Sequence, residues 1–173
     1  VKYLHEHGCP WDKRTSDAAY QRLQLGSIFS DVGENFEYVI THGCPWDGDV
    51  METAADRGSV KLLKYAHEQL HSEITEATVE RLIEHGSVEC LKYLQELGFP
   101  WKEENCLYAA AFGYLDCLKY LHEHGCPWHE KLIEKVASVI QSLPSSHSAL
   151  SGIKKCLMYA IDNGCPLPVE LIS

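Results

Sequence analysis

The ten residues KYLHEHGCPW occur twice in this chain, at 2–11 and at 119–128. Variants of the final five letters recur, and each is anchored on a glycine: Gly8, Gly43, Gly98, Gly125 and Gly164. The intervals between successive anchor glycines are 35, 55, 27 and 39 residues, and 55 is close to twice 27. We therefore place a degenerate unit in the wider gap, with Leu70 at its anchor. A fixed period of this size is typical of proteins built from stacked repeats.

Each unit contains two helical segments. In the second segment, SVECLKYLQELG at 87–98, four apolar residues fall on one helical face: Cys90, Leu91, Leu94 and Leu97. The glycine that follows supplies a left-handed residue after the last turn, and the proline two positions later prevents the helix from continuing. The first segments, at 51–58 and 105–113, are rich in small residues, which allow helices to approach closely. The sequence therefore predicts an all-α fold of stacked antiparallel helix pairs.

Two units are longer than the period. The interval that ends at Gly43 is 35 residues, which we expect to lengthen the first helix or its exit. The interval that ends at Gly164 is 39 residues, and its serine-rich segment 142–152 lacks a helical period, so a loop is expected there. The predicted organisation is one repeat array over 1–173, with a partial unit at 1–8, units at about 9–43, 44–70, 71–98, 99–125 and 126–164, and a partial unit at 165–173.

Charge and motif content exclude several functions. The formal net charge is −10, from 15 basic and 25 acidic residues, so we expect neither nucleic acid nor a membrane as partner. No apolar stretch reaches the roughly 18 residues that span a bilayer. The chain lacks a nucleophile elbow, a phosphate-binding loop and an H-E-x-x-H helix, so no enzyme activity is expected. Because Val1 lies within a helical pattern, we expect the chain to be part of a longer one.

Eight cysteines are present, and two interpretations exist for such a count. Disulfides are typical of secreted proteins, but a chain of 173 residues rarely needs them, so we expect reduced thiols in an intracellular protein of the cytoplasm or nucleus. Cys90, Cys106, Cys117 and Cys156 are predicted to fill the core. The remaining four follow the anchor glycines and are predicted to fill turns: Cys9, Cys44, Cys126 and Cys165.

The decapeptide contains residues that could bind zinc, namely His5, His7 and Cys9. Two histidines at i and i+2 point about 200° apart on a helix, and neighbouring helices are ~8–10 Å apart, so these side chains are not expected to share one ion. His67 and His71 have i, i+4 spacing, but only if their helix continues past Leu70. We therefore expect solvated histidines and no metal or cofactor.

Four tryptophans, Trp11, Trp46, Trp101 and Trp128, each precede a first helix. An apolar residue there can pack on the fourth helical position, which is occupied by Met51, Cys106 and Ile133 after three of them, whereas Ser16 breaks the pattern. Packing between units is the favoured interpretation, and a stacking platform for a ligand is the alternative.

The segments YLDCLKYLHEHGCPW (114–128) and GSVKLLKY (58–65) resemble the second-helix half of an ankyrin repeat, whose usual form is G-H-L-E-V-V-K-L-L-L-x-x-G-A-D-V-N. The resemblance covers essentially the whole chain as about five units. The period is 27 instead of the usual 33, and ENCLYAAA (104–111) replaces the T-P-L-H motif. This shortened G-C-P-W form is similar to arrays in protists, oomycetes and large DNA viruses of amoebae. The resemblance implies an ankyrin-like solenoid whose β-hairpin fingers are shortened or absent.

The resemblance also implies a function: a non-catalytic module that binds a partner protein on the concave face of its first helices. The residues that enter and leave those helices would make the contacts: Asp47, Asp49, Asp56, Arg57, Glu84, His85, Lys102, Glu103, Phe112, His129 and Glu130. The acidic members favour a basic partner, and Phe112 is the best candidate anchor. A narrower alternative is the substrate-recognition arm of a larger adaptor or effector, for example one linked to a ubiquitin ligase. A different alternative is a metal or thiol sensor that uses His and Cys.

The turns that connect one unit to the next are called joints here, and one of them, the degenerate joint, lacks the repeated residues. The segment EQLHSEI at 68–74 contains no glycine, proline or tryptophan. Because those residues end the helices elsewhere, we expect the regular stacking of repeats to break across residues 66–76.

Overall fold

The computed structural model describes residues 2–24, 31–144 and 146–168. These ranges contain eleven α-helices and no strand, which confirms the predicted all-α fold without β-hairpin fingers. None of the helices described is long and apolar enough to cross a membrane. The helices are α1 (Lys2–Glu6), α2 (Lys13–Gln24), α3 (Asp31–Thr41), α4 (Val50–Arg57), α5 (Val60–Glu68), α6 (Glu76–Glu84), α7 (Val88–Glu96), α8 (Glu103–Phe112), α9 (Leu115–Glu123), α10 (Leu132–Ser142) and α11 (Leu150–Asp162).

The chain forms two compact units. The first, unit 1, consists of Val1–Ala54 and Lys61–Glu73. In it, α2 packs against α3, and α1 also contacts α3. Its core contains aliphatic and aromatic side chains that are almost wholly buried: Phe36, Val39, Ile40, Leu62, Leu63 and Ala66. Burial of such side chains away from water stabilises the unit.

The second compact unit, unit 2, consists of Ala55–Val60 and Ile74–Ser173. Its helices form the pairs α6–α7, α8–α9 and α10–α11. First helices pack in succession, α6 on α8 and α8 on α10, and second helices do the same from α7 through α9 to α11. This consecutive packing within the unit is consistent with an α-helical repeat solenoid. Its core includes leucines from each pair: Leu82, Leu91, Leu94, Leu118, Leu121 and Leu132.

Each anchor glycine adopts the predicted left-handed conformation. At Gly125, φ is 86°, the amide N donates to His122 O at 3.1 Å, and Cys126 N donates to Leu121 O at 3.0 Å. These two bonds form the Schellman motif, which satisfies carbonyls left open at the end of a helix. The same pair of bonds occurs at three further glycines: Gly43, Gly98 and Gly164. The prediction that glycine ends the second helices is confirmed.

The degenerate joint has a different turn. Helix α5 ends at Glu68, and His71 is the only residue other than glycine that has a positive φ, 54°, in the described ranges. Ser72 N donates to Ala66 O at 2.9 Å, so this turn is one residue longer than the glycine joints. The left-handed residue therefore lies one position after Leu70, where the period placed the anchor. The predicted break in stacking across 66–76 stays a prediction.

Three first helices, α4, α6 and α8, also end at left-handed glycines, a regularity that the sequence interpretation missed. Gly58, Gly86 and Gly113 have φ of 59°, 66° and 82°. A Cβ added to Gly113 would lie 2.8 Å from Ile153 N, whereas one added to Gly125 would meet nothing within 4 Å. The triplet G-S-V at 58–60 and at 86–88 was the signal that could have revealed this regularity.

Three local predictions have mixed outcomes. Leu97 was assigned to the apolar face but is 45 % exposed; it is the C-cap residue of α7, immediately before the left-handed turn at Gly98. The expected loop over 142–152 is too long, since Ser142 ends α10 and 150–152 begin α11. The extra residues before Gly43 were expected to lengthen the first helix or its exit. Helix α2 has 12 residues, against 8 to 11 in the other first helices, and residues 25–30, where the exit would lie, are outside the described ranges.

Candidate functional site

The first histidine of each decapeptide lies in an aromatic cluster. The His5 ring packs on Trp11, with 3.8 Å between centroids, and its Nδ1 lies 3.2 Å from Tyr38 Oη. The second copy forms the same cluster, at 4.3 Å and 3.2 Å, from His122, Trp128 and Tyr159. In both copies the tyrosine comes from the next second helix along the chain, so the cluster holds neighbouring repeats together.

The second histidine of the motif caps its own helix. Nδ1 of His124 lies 2.7 Å from Tyr120 O, and the two rings stack with centroids 4.0 Å apart. Because a carbonyl only accepts hydrogen bonds, Nδ1 must carry the proton. His7 and His42 make the same contact, and Asn163 replaces the histidine at the last joint, with Nδ2 2.8 Å from Tyr159 O.

The histidines of one decapeptide thus face different partners, as their spacing predicted. Helix α5 ends at Glu68, so His67 and His71 do not share one continuous helix. Within the ranges that the structure describes, no group of three or more His, Cys, Asp or Glu side chains could hold a metal ion.

The cysteines after the anchor glycines connect successive joints. Cys126 Sγ lies 3.1 Å from Lys102 O, and Cys44 Sγ lies 3.4 Å from Asp12 O. In each case the thiol donates to the residue that follows the tryptophan of the preceding joint. All eight cysteines are free thiols; Cys9 is exposed and the other seven are buried, which confirms the predicted core positions.

Burial and contact change the acidity of these thiols. Burial raises the pKa of Cys117 to about 12 and that of Cys156 and Cys165 to about 11. A hydrogen bond between the Cys106 and Cys126 thiols lowers the pKa of Cys126 and raises that of Cys106. Since the thiolate is the reactive form, the high pKa values make most of these cysteines poor nucleophiles.

The remaining tryptophans also make contacts inside the protein. Trp46 packs on Tyr20 and Phe36, with centroid distances of 4.7 and 5.3 Å, and its buried Nε1 has no partner within the described residues. Trp101 Nε1 donates to Gln95 Oε1, at the position where the decapeptide has its first histidine. These contacts support the interpretation of the tryptophans as packing residues.

In unit 1, the two predicted partner-binding residues are exposed but already have partners. Asp47 forms an ion pair with Lys13. Asp49 Oδ1 accepts a hydrogen bond from Glu52 N at 3.0 Å, which caps the start of α4.

In unit 2, Asp56 forms an ion pair with Arg81 and Lys102 forms one with Glu76. The partners are 25 and 26 residues apart, about one repeat, which is the signal that could have predicted them. Exposed pairs of this kind contribute ~1 kcal/mol or less to stability. His129 Nδ1 accepts from Lys131 N at 3.0 Å, Glu103 is half-buried, and the other predicted residues are exposed: Arg57, Glu84, His85, Phe112 and Glu130.

Two neighbouring first helices carry a surface that the sequence interpretation captured only in part. Residues four apart lie on the same side of a helix. By this spacing, α6 presents Glu76, Glu80 and Glu84, and α8 presents Glu104, Tyr108 and Phe112. We call these six residues the first-helix surface. Glu84 and Phe112 were predicted. The other four, Glu76, Glu80, Glu104 and Tyr108, were not, although their i, i+4 spacing was visible in the sequence.

A cleft of about 190 Å³ lies between α6 and α8. Its walls include Val79, Glu80, Phe99, Glu104, Asn105 and Tyr108, and the Glu76–Lys102 ion pair also lines it. Burial raises the pKa of Tyr108, and the negative charges of Glu80, Glu104 and Glu84 raise it further. The cleft, called the α6–α8 cleft below, therefore combines apolar walls with an excess of negative charge.

Unit 1 has a wider groove, of about 540 Å³, on the exposed side of α3. Two carboxylates, of Glu34 and Glu37, share it with the ammonium groups of Lys2 and Lys61. Glu37 lies 3.4 Å from Lys61 Nζ. Because the charges balance there, this groove has no clear preference for a ligand of either sign.

Comparisons of the chain with protein-family models, with curated proteins and with solved structures found no match.

Proposed function

We propose that this chain is a non-catalytic protein–protein interaction module with an ankyrin-like architecture, and that it binds its partner through the first-helix surface. The observation that carries the proposal is the contrast between that surface and the decapeptide. The conspicuous His, Cys and Trp side chains of the decapeptide contact one another and the backbone. The first-helix surface instead presents charged and aromatic groups to solvent.

The partner that fits this surface is basic. Within the described part of the chain, Glu80, Glu84 and Glu104 form no ion pair with Lys or Arg. A lysine or arginine on the partner would supply the missing charge, and complementary charge speeds and orients association. The net charge of −10 disfavours nucleic acid and anionic membranes as the partner.

Phe112 supports the same surface as an apolar anchor. Its side chain is 38 % exposed at the end of α8, on the side that carries Glu104 and Tyr108. Aromatic residues provide much of the binding energy at protein interfaces when a partner buries them. We therefore expect Phe112 to contribute more to affinity than any single carboxylate around it.

An intracellular location, in the cytoplasm or nucleus, is part of this proposal. Eight free thiols are consistent with a reducing compartment. Within a longer chain, the module could serve as the recognition arm of an adaptor or effector, including one linked to a ubiquitin ligase; flanking sequence would decide between these roles.

Quantitative affinity capture tests the proposal. The baits are the wild-type chain, Phe112→Ala, Glu84→Lys, and Glu123→Lys as a control that makes the same charge change on the second helix α9. Asp56→Lys is less suitable, because it would break the Asp56–Arg81 ion pair. We expect recovery of the partner to fall about tenfold for the two surface variants, equivalent to ~1.4 kcal/mol, and to be unchanged for the control. Equal recovery by all four baits would contradict the proposal.

A thiol sensor remains the second candidate, because the Cys106 and Cys126 thiols shift each other's pKa in opposite directions, with the pKa of Cys126 lowered. Metal analysis and thiol counting separate it from the first proposal. An interaction module should contain eight free thiols after mild peroxide treatment and no stoichiometric metal. Loss of two thiols together, or one bound metal ion per chain, would favour the sensor.

A further inference from the structure

We propose that the α6–α8 cleft is a binding site for an arginine side chain of the partner protein. This inference rests on the proposed function, since it names the group that the first-helix surface recognises. A pair of carboxylates, an aromatic ring and a buried amide converge on this one cleft in unit 2.

The carboxylates match the hydrogen-bonding pattern of a guanidinium group. Glu80 and Glu104 line the cleft from opposite helices. A guanidinium group has five N–H donors in a rigid plane and can bond two carboxylates at once, or one of them through two parallel bonds. Glu80 is half-buried, so its ion pair would be screened less by salt than one on an open surface.

The apolar walls favour arginine over lysine. Tyr108 and Phe99 both line the cleft, and Val79 lies at its base with no exposed surface. The planar guanidinium group is weakly hydrated and stacks on aromatic faces, whereas an ammonium group holds its water more strongly. Burial is the main cause of the raised pKa of Tyr108, and the negative charges of Glu80 and Glu104 raise it further.

A buried amide holds one wall of the cleft in place. Asn105 lines the cleft and is only 8 % exposed. Its Oδ1 accepts a hydrogen bond from Lys102 N at 2.8 Å, which is the capping-box contact at the start of α8. The cleft is therefore ordered before a partner arrives, which lowers the cost of binding.

Lys102 acts as an internal competitor in the same cleft. Its ammonium group forms an ion pair with Glu76, so one of the three carboxylates is already neutralised. Replacement of Lys102 by a neutral residue would release Glu76 and remove a like charge from the approaching arginine. A merely structural role for the cleft would not produce tighter binding in such a variant.

A peptide titration tests the inference. The probe is the capped peptide Gly-Ser-Gly-Arg-Gly-Ser-Gly, compared with versions that carry lysine or the neutral isostere citrulline in place of arginine. Binding to the full chain is followed at low ionic strength through the backbone amide resonances of α6 and α8. We expect saturable shifts with the arginine peptide, about threefold weaker binding of the lysine peptide, and no saturable binding of the citrulline peptide.

Variants then locate the binding in the cleft. Glu80→Gln and Glu104→Gln should each weaken binding of the arginine peptide about threefold, and Tyr108→Leu by a similar factor. Lys102→Gln should tighten binding about twofold, and the control Glu123→Gln on α9 should leave it unchanged. Equal binding of the arginine and citrulline peptides would overturn the inference, and so would an affinity that is the same in Glu80→Gln, Glu104→Gln and the wild type.

Failure of this inference can be told from failure of the proposed function. If the peptide does not bind but Phe112→Ala and Glu84→Lys still lower capture of the partner, the arginine site is wrong and the interaction surface stands. If those two variants leave capture unchanged, the interaction surface is wrong, and with it the role assigned to the cleft.

Discussion

The glycines that end the second helices differ from those that end the first helices. Both sets have positive φ, for example 86° at Gly125 and 82° at Gly113. A Cβ added at Gly125 would meet nothing within 4 Å, whereas one added at Gly113 would lie 2.8 Å from Ile153 N and 3.1 Å from Ala149 O. The turn after a second helix, called the outer turn below, needs only the conformational freedom of glycine. The turn after α4, α6 or α8, called the inner turn below, also has no room for a side chain.

This difference explains why one outer turn can lose its glycine. His71 holds a positive φ of 54° in the chain's degenerate joint, and its side chain is exposed. A left-handed conformation costs a residue with a side chain ~1–2 kcal/mol, which a folded repeat can tolerate. Gly58, Gly86 and Gly113 are less replaceable, because a Cβ at each would lie 3.0 Å or less from a neighbouring side chain or, at Gly113, from backbone.

Gly113→Ala should have the largest effect on stability. The new methyl group would meet backbone atoms of α11 that cannot move without repacking, and the left-handed conformation would also be strained. We expect the free energy of unfolding to fall by about 3 kcal/mol, from both costs together. Equilibrium unfolding in urea, followed by circular dichroism, measures the change. A loss no larger than that of Gly125→Ala would remove the distinction between inner and outer turns.

Gly125→Ala should have an intermediate effect, because only the conformational cost applies. We expect the free energy of unfolding to fall by about 1 kcal/mol, and by less in Gly125→Asn, since asparagine tolerates the left-handed region better than alanine. The same urea titration gives both values. A drop as large as that of Gly113→Ala would show that the open space beside Gly125 is not available to a side chain.

His71→Gly should increase stability, in contrast to the two substitutions above. Glycine relieves the left-handed strain but adds conformational entropy to the unfolded chain, so we expect a net gain of about 0.5 kcal/mol. Gln69→Gly, in the same turn but without a positive φ, is the matched control and should lower stability. A loss of stability in His71→Gly would mean that the His71 side chain itself holds the joint together.

His124→Ala should have the smallest effect in the series. It removes the hydrogen bond from Nδ1 to Tyr120 O and the ring stack, in a position that is exposed to solvent. We expect a loss of about 0.5 kcal/mol. His124→Asn should restore most of it, because Asn163 makes the equivalent bond at the last joint. Equal losses in the two variants would assign the effect to the stack and not to the hydrogen bond.

Local signals account for what could be predicted of the fold. Gly125 and the proline two residues later end a helix regardless of what surrounds them, so the second helices were predictable from sequence. The inner glycines were missed because their neighbours vary, from Arg57 before Gly58 to Phe112 before Gly113. The position of the degenerate joint was off by one residue because the period cannot reveal the longer turn at His71.

The candidate site was less predictable, because it depends on packing between helices. The resemblance pointed to Glu84 and Phe112, at the ends of first helices. Tyr108 and Glu80 lie in the middle of their helices, and only the packing of α6 on α8 brings them into one cleft. The same reason applies to the ion pairs: Asp56 was expected to face a partner, but the next repeat provides Arg81.

The decapeptide shows that packing between repeats can also remove an apparent site. Its histidines and tryptophan suggested a chemical site, but their partners come from residues 33 and 37 positions away, such as Tyr38 and Tyr159. The tyrosine is a regular member of the second helix, and its role is visible only when two repeats are placed together.

Site-specific photo-crosslinking in the native cell tests the central claim most directly. A photoreactive p-benzoylphenylalanine would replace Phe112 on the first-helix surface in one variant and His124 in the decapeptide in another. Both positions are exposed, so neither has an advantage in access. We predict a crosslinked partner protein from position 112 and none from position 124. A crosslink from position 124 with none from 112 would contradict the account, because it would make the repeated decapeptide the binding site.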